Sequence, residues 1–201
     1  MVLAGGFSQR FGRDKCLIEL AGKPLLVHVL EKVSKIVNEC LVVVASEEQR
    51  RMLSSMLGSE ASLVVDRYEG QSPLVGALTG FETVQGEYAL LLPCDTPFIS
   101  ADVVELLFDL CADRSAVVPR WPNGFIEPLQ AVYHANSAVT AAKVALSEGK
   151  HNLSSMIAHM RRVRYLSTLV LEQLDSKLLT FSNVNTPEDL KRAEALLKRA
   201  R

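Results

Sequence analysis

The sequence predicts an α/β fold built on a mostly parallel sheet. Three observations predict it. Short apolar, β-branched runs such as Leu41-Val42-Val43-Val44-Ala45 alternate with longer segments whose apolar residues recur at helical spacing. Serine, threonine or proline opens several of those longer segments, and glycine closes some of them. The chain has 201 residues, 48% of them hydrophobic, which is enough for one α/β domain with a sizeable core. Neither linker, repeat nor low-complexity segment divides it, so the expectation is one domain over residues 1–201.

In order, residues 2–4 read as the end of a buried strand, and 5–15 as a loop rich in glycine and cationic residues. A helix is expected from 24 to about 37, after Gly22 and with Pro24 at an early helical position. Residues 41–45 form a buried strand. A helix from 47 to 57 ends at Gly58, a C-cap. Strands follow at 62–66, 88–93 and 116–119. The helices between them run from 73 to about 84, ending near Gly86, and from 100 to about 111, with Ser100 as N-cap. Residues 125–133 read as a strand interrupted by Pro128, either an edge or an antiparallel insertion. Helices are expected at 136–146 and 153–159, and a half-exposed strand at 161–166, where basic and apolar residues alternate. Thr186-Pro187-Glu188-Asp189 opens a last helix: a Thr N-cap, proline in the first turn and acids behind it. Strands alternating with helices of this length argue βαβ units.

Bulk properties exclude several classes. The formal net charge is −1, so no global basic field points to nucleic acid. No apolar run approaches the length of a membrane span. The start carries neither a basic nor an apolar leader region, so the expectation is a cytoplasmic protein. The first strand is very short, which a late start methionine or a clipped end would explain. Cys16, Cys40, Cys94 and Cys111 form no C-x-x-C pair and have no zinc spacing; they read as reduced, mostly buried thiols. His28, His134, His151 and His159 read as solvated or core residues, and no Ser-His-Asp or Cys-His set is suggested.

Chemistry concentrates in a few motifs. In Leu3-Ala4-Gly5-Gly6-Phe7-Ser8-Gln9-Arg10-Phe11-Gly12-Arg13-Asp14-Lys15, the paired glycines let the backbone turn and present N–H groups to an anion. Arg10 and Lys15 add positive charge. The spacing is neither that of a P-loop nor that of a dinucleotide fingerprint. Leu90-Leu91-Leu92-Pro93-Cys94-Asp95-Thr96-Pro97 is an apolar strand ending in a carboxylate. In open α/β sheets ligands sit beyond the carboxyl ends of strands, so Asp95 is placed to hold Mg²⁺ against phosphate oxygens. Asp66 ends strand 62–66 in the same way. Asn183 and Asn185 alternate just before a helix start that Thr186 and Pro187 already explain, so as extended residues they share a face.

These runs resemble the motifs of nucleotidyltransferases with a glycosyltransferase-A-like fold, and most of all those of the molybdenum cofactor guanylyltransferase (MobA) family. The resemblance spans nearly the whole chain, through L-A-G-G with R-F-G-x-D-K, P-C-D-T-P, E-P-L-x-A-x-Y (127–133) and N-x-N-T-P-E-D-L (183–190). It implies a three-layer α/β/α sandwich with a Rossmann-like sheet, of the nucleotide-diphospho-sugar transferase type. It implies that Leu3, Ala4, Gly5, Gly6, Arg10 and Lys15 handle the nucleotide phosphates, that Asp66 lies near base and ribose, and that Asp95 binds Mg²⁺. Arg10, Lys15 and Asp95 would be catalytic, and Glu127, Asn183 and Asn185 would face the acceptor. The implied substrates are GTP and molybdopterin, with transient contact to molybdoenzyme-maturation proteins, and neither nucleic acid nor membrane as partner. Two departures stand out. Ser72 replaces a usual glycine, and Ala45-Ser46 stands where the family often has an asparagine near guanine, which leaves base preference open. The alternatives are a cytidylyltransferase or another nucleotidyltransferase with a different phosphorylated acceptor, and a non-catalytic nucleotide-binding regulatory protein.

Overall fold

A computed structural model describes residues 1–5, 7–8, 13–68 and 72–199. Its strands in chain order are β1 (Val2–Leu3), β2 (Phe7–Ser8), β3 (Arg13–Asp14), β4 (Glu19–Leu20), β5 (Lys23–Pro24), β6 (Leu41–Val44), β7 (Ser62–Val65), β8 (Tyr88–Pro93), β9 (Ala116–Arg120), β10 (Ala131–His134) and β11 (Val163–Ser167). Its helices are α1 (Leu25–Val33), α2 (Glu47–Leu57), α3 (Pro73–Phe81), α4 (Ala101–Asp109), α5 (Ala135–Ser147), α6 (Leu153–Ala158), α7 (Thr168–Leu171) and α8 (Pro187–Arg199).

Among these residues seven strands form one sheet in the order β11-β9-β10-β8-β1-β6-β7. All pairings are parallel except those of β10, which runs antiparallel to both β8 and β9. Two short hairpins, β2-β3 and β4-β5, lie outside this sheet. The predicted α/β class with a mostly parallel sheet is what the chain adopts.

Side chains along each strand point alternately to the two faces, and the core follows that period. Val2, Leu90, Leu92, Val117 and Val132 pack under α1, α2 and α4. Ala89, Leu91, Ala116, Val118, Ala131 and Tyr133 pack under α3, α5 and α6. The result is a three-layer α/β/α sandwich. The two faces differ in grain: the second uses alanines on α5 and buries Tyr133 edge-on against Phe81, with centroids 5.4 Å apart. A smaller cluster of Ile18, Leu20, Leu25, Val184 and Ala193 fastens α8 to the β4-β5 hairpin. That contact brings the end of the chain beside the loop that follows β1.

The helix starts are dictated locally. Ser46, Ser72 and Ser100 each accept the N–H three residues on, at 3.1, 3.2 and 3.5 Å. α2 has its predicted bounds and ends at Gly58, whose φ of 55° a side chain would resist. α1, α3 and α4 stop a few residues short of the expected ends. Their last turns tighten, as when Ile36 N–H bonds Val33 O and Thr83 N–H bonds Gly80 O. Pro24 caps α1 instead of lying in its first turn. His134 is neither simply core nor solvated: its Nδ1 caps α5 by accepting Ser137 N–H at 3.2 Å.

Two expectations change. Residues 125–133 do not form one strand. Pro128 lies in a turn, the ladder begins at Ala131 opposite Leu91, and the strand sits inside the sheet and not at its edge. A connection as short as 121–130 cannot carry a parallel crossover, so β10 must return antiparallel beside β9. β11 begins at Val163 and not at Arg161, because Arg162 takes a left-handed φ of 59° that ends pairing there.

Candidate active site

In chain order β1, β6 and β7 step toward one edge of the sheet, and β8 then pairs with the other side of β1. This reversal is a topological switch point, where a crevice opens beyond the carboxyl ends of the two diverging strands. Gly5 follows β1 there, and Cys94 and Asp95 follow β8. A cavity of about 790 Å³ occupies the crevice. Leu3, Gly5, Lys15, Asp66, Asp95, Asn183 and Asn185 all line it. A second cavity, of about 910 Å³, lies at the opposite ends of the strands between Ile36, Cys40, Val84 and Phe108, and none of the predicted site residues lines it.

The electrostatic centre of the switch-point crevice is Asp95, only 4% exposed. The Lys15 ammonium donates to Asp95 Oδ2 and also to Asn185 Oδ1. Three distant segments thus meet on one cation: the loop after β1, the end of β8 and the run into α8. The segment entering α8 is fixed from both sides. Val184 N–H bonds Asp95 O at 2.9 Å. Asp189 Oδ2 accepts the N–H groups of Asn185 and Thr186 at 3.1 and 2.9 Å, while Thr186 Oγ1 accepts Asp189 N–H at 3.1 Å. This reciprocal cap aims Asn185 inward. Asp95 Oδ1 remains buried without a partner. A buried carboxylate with one oxygen unpartnered, its other oxygen sharing the Lys15 ammonium with an amide oxygen, offers donors suited to a hard divalent cation. Among the described residues no three His, Cys, Asp or Glu side chains cluster as a metal cage. A metal held mainly by one carboxylate keeps positions for water and phosphate oxygens.

The far wall is formed by α3 and the ends of β6 and β7. Thr79 Oγ1 donates to Asp66 Oδ1 at 2.7 Å, and Tyr68 N–H bonds the same oxygen at 3.3 Å. Gly76 passes close by: a Cβ there would lie 3.7 Å from Asp66 Oδ2. Gln49 had no functional signal beyond its place in the first turn of α2, yet it is buried and ties the loops together. Its Nε2 donates to Ala4 O at 2.9 Å, and its Oε1 accepts Ala45 N–H at 2.8 Å. Asp14 also lines the cavity, and partial burial raises its carboxyl above the ordinary value. Its place directly before Lys15 was the available sequence signal.

Other predicted residues lie apart. Ala4 is fully buried and contributes backbone only. Glu127 is not on the cavity wall; its Oε1 accepts the Trp121 indole N–H at 2.6 Å. Gly6 and Arg10 lie outside the described residues. The four cysteines are free thiols. Burial pushes the Cys16 thiol up to about 12 and holds that of Cys94, beside Asp95, well above its usual range, so neither serves as a nucleophile. Among the described residues no helix is long and apolar enough to cross a membrane.

A switch-point crevice lined by Gly5, the Lys15 ammonium and a buried carboxylate defines a nucleotide-handling enzyme of the nucleotidyltransferase class. Comparison with known proteins agrees. Residues 1–163 match the family model of the MobA-like NTP transferase domain, and the chain belongs to that family. It is 31% identical over 195 residues to a probable molybdenum cofactor guanylyltransferase of Methanosarcina mazei, covering 94% of this chain and 87% of that one. A protein of Natranaerobius thermophilus with the same description is 32% identical over 200 residues, covering 98% and 95%. The crystal structure of molybdopterin-guanine dinucleotide biosynthesis protein A from Archaeoglobus fulgidus superposes with a TM-score of 0.84 at 30% identity, over 98% of this chain and 97% of that one. A 4-diphosphocytidyl-2C-methyl-D-erythritol synthase from Anaerococcus prevotii shares the fold alone, with a TM-score of 0.72 at 14% identity.

Proposed function

We propose that residues 1–201 act as one nucleotidyltransferase domain that transfers GMP from GTP to the phosphate of molybdopterin, releasing pyrophosphate and forming the guanine dinucleotide cofactor. The observation that carries the reading is the meeting of Lys15, Asp95 and Asn185 in one cavity beside Gly5, in a chain with relatives of that description at about 30% identity.

Nucleotidyl transfer needs no protein nucleophile. A phosphate oxygen of the acceptor attacks the α-phosphorus in line, the bond to the bridging oxygen of the β-phosphate breaks, and pyrophosphate leaves. The protein contributes position and charge. Backbone N–H groups around Gly5 and Gly6 receive the triphosphate, with Lys15 and Arg10 compensating its charge. Asp66, fixed by Thr79, faces ribose and base. Asn183, exposed at the rim, meets the acceptor, with Glu127 beyond it. Asp95 would hold Mg²⁺ through its carboxylate, with Asn185 Oδ1 across from its Oδ2; when bound, the ion would supply charge neutralisation at the phosphates. Such an enzyme works in the cytoplasm and hands on its product through transient contact with molybdoenzyme-maturation proteins.

One observation favours a second reading, cytidylyl transfer. Ala45 has no side-chain polar group, and its N–H is already taken by Gln49, so a guanine edge must be read by Ser46 or by remaining backbone groups. Pyrophosphate release measured with GTP, CTP, ATP and UTP, each with and without molybdopterin, decides. Release that requires molybdopterin and is fastest with GTP supports the proposal. Preference for CTP replaces it with the second reading, and no release with any pair overturns both.

A further inference from the structure

Lys15 occupies a particular place: its ammonium sits between Asp95 Oδ2 and Asn185 Oδ1, the two oxygens that face the expected metal. Asp95 is buried, and a buried carboxylate requires a positive partner. Lys15 supplies it, but incompletely, since Asp95 Oδ1 stays buried and unpartnered. Both line the cavity, but the Lys15 side chain is 23% exposed against 5% for Asp95, so the lysine is the more open of the two. A flexible four-carbon stem lets the ammonium follow the strongest anion in reach.

Building on the transferase reading above, we propose that in the nucleotide-free protein Lys15 holds the place of the divalent metal, so that the ion enters only together with a triphosphate. The negative charge of the triphosphate draws Lys15 off Asp95 and onto the phosphates, and the vacated oxygens receive the ion. Lysine and metal are then rivals for the empty site and allies in the loaded one. Linkage makes this reciprocal: whatever nucleotide does to metal affinity, metal does to nucleotide affinity. Asn185 is the shared rest for both cations, which ties its role to the nucleotide side of the cleft.

The sign of the effect is unusual and tests the idea without turnover. Mn²⁺ binding, followed by electron paramagnetic resonance at mildly alkaline pH, is measured for wild type, Lys15→Met and Lys15→Gln, each checked for folding by circular dichroism, with and without GTP. Lys15→Gln retains an amide donor for Asp95 and guards against a folding defect in Lys15→Met. Without nucleotide the neutral variants are expected to bind Mn²⁺ about tenfold more tightly than wild type, within the range of ordinary linkage. Adding GTP should then tighten Mn²⁺ strongly in wild type and by no more than about threefold in the variants. Asp95→Asn combined with Lys15→Met should erase the gain. Folded neutral variants that bind Mn²⁺ no better than wild type, with wild-type nucleotide binding intact, overturn the place-holder alone. A wild type that binds none of GTP, CTP, ATP or UTP in the presence of Mn²⁺ overturns the transferase reading and this proposal with it.

Discussion

At the scale of single residues, Asp95 does two things that pull apart under mutation. It neutralises Lys15, and it presents a free oxygen. Asp95→Asn keeps the shape and removes the charge, so the fold should persist while turnover falls on the order of 10²–10³-fold, the usual cost of losing one strong preorganised electrostatic contact. Steady-state rates beside a thermal melt check it; turnover within about threefold of wild type would sink the role. Gln49→Ala should act differently. It strands the buried Ala4 C=O and the part-buried Ala45 N–H, and should destabilise by about 1–3 kcal/mol in urea titrations while raising the nucleotide's KM. The two asparagines should also separate. Asn183→Ala should raise the acceptor's KM about 3- to 10-fold and leave the nucleotide's unchanged, whereas Asn185→Ala should weaken nucleotide and metal binding. Equal effects of both substitutions on the acceptor's KM alone would refute the division. Asp95 and Lys15 were legible because strand-end carboxylates and glycine-loop cations have positional meaning. The Lys15–Asn185 contact joins groups 170 positions apart, and Gln49 stands where a helix's first turn is normally solvated; neither leaves a local signature.

Among the elements, starts were more legible than ends. A serine three residues before a helical N–H is a local device, and Ser46, Ser72 and Ser100 all work that way. Helix ends depend on what the last turn packs against, so α1, α3 and α4 stop earlier than their apolar periodicity implies. The cap of α8 also shapes the cavity, because Asp189 holds the backbone of Asn185, which lines it. Hydrogen bonding with Thr186, then the N–H groups of Asn185 and Thr186, hold the Asp189 carboxyl below its ordinary value of 3.8. A depressed carboxyl contributes stability at pH above its unfolded value, lost as pH falls through the folded one. Asp189→Asn should therefore lose stability less steeply than wild type in that acid window, in urea melts at stepped pH; parallel curves would count against the cap. On α3 two glycines face the sheet at different distances. A Cβ at Gly80 would fall 1.9 Å from Met1 Sδ and 3.1 Å from Val43 Cγ2, whereas at Gly76 its nearest neighbour is Leu3 Cδ2 at 3.6 Å. Gly80→Ala should cost about 1–3 kcal/mol by overpacking. Gly76→Ala should be neutral or gain up to about 1 kcal/mol of helix propensity. The reverse order in thermal melts would contradict this packing.

For the whole molecule, the alternation of buried runs and helical periods carried the class, because a sheet covered on both faces must be apolar on both. The site's position followed from topology: once β8 turns back beside β1, ligand chemistry belongs at their carboxyl ends. The place of β10 was the part that did not show. Pro128 suggested a broken strand, either an edge or an antiparallel insertion; the strand is inserted antiparallel between β8 and β9, but the proline lies in the turn before it. Pairing partners are non-local and leave little trace in the strand itself. What the assembled molecule does is tested most directly by one competition. Purified protein is given molybdopterin, Mg²⁺ and equal concentrations of GTP, CTP, ATP and UTP, and the product is read by mass spectrometry. Molybdopterin carrying GMP should be the dominant product, with pyrophosphate formed in step. Molybdopterin carrying CMP, or molybdopterin returned unmodified, would contradict it.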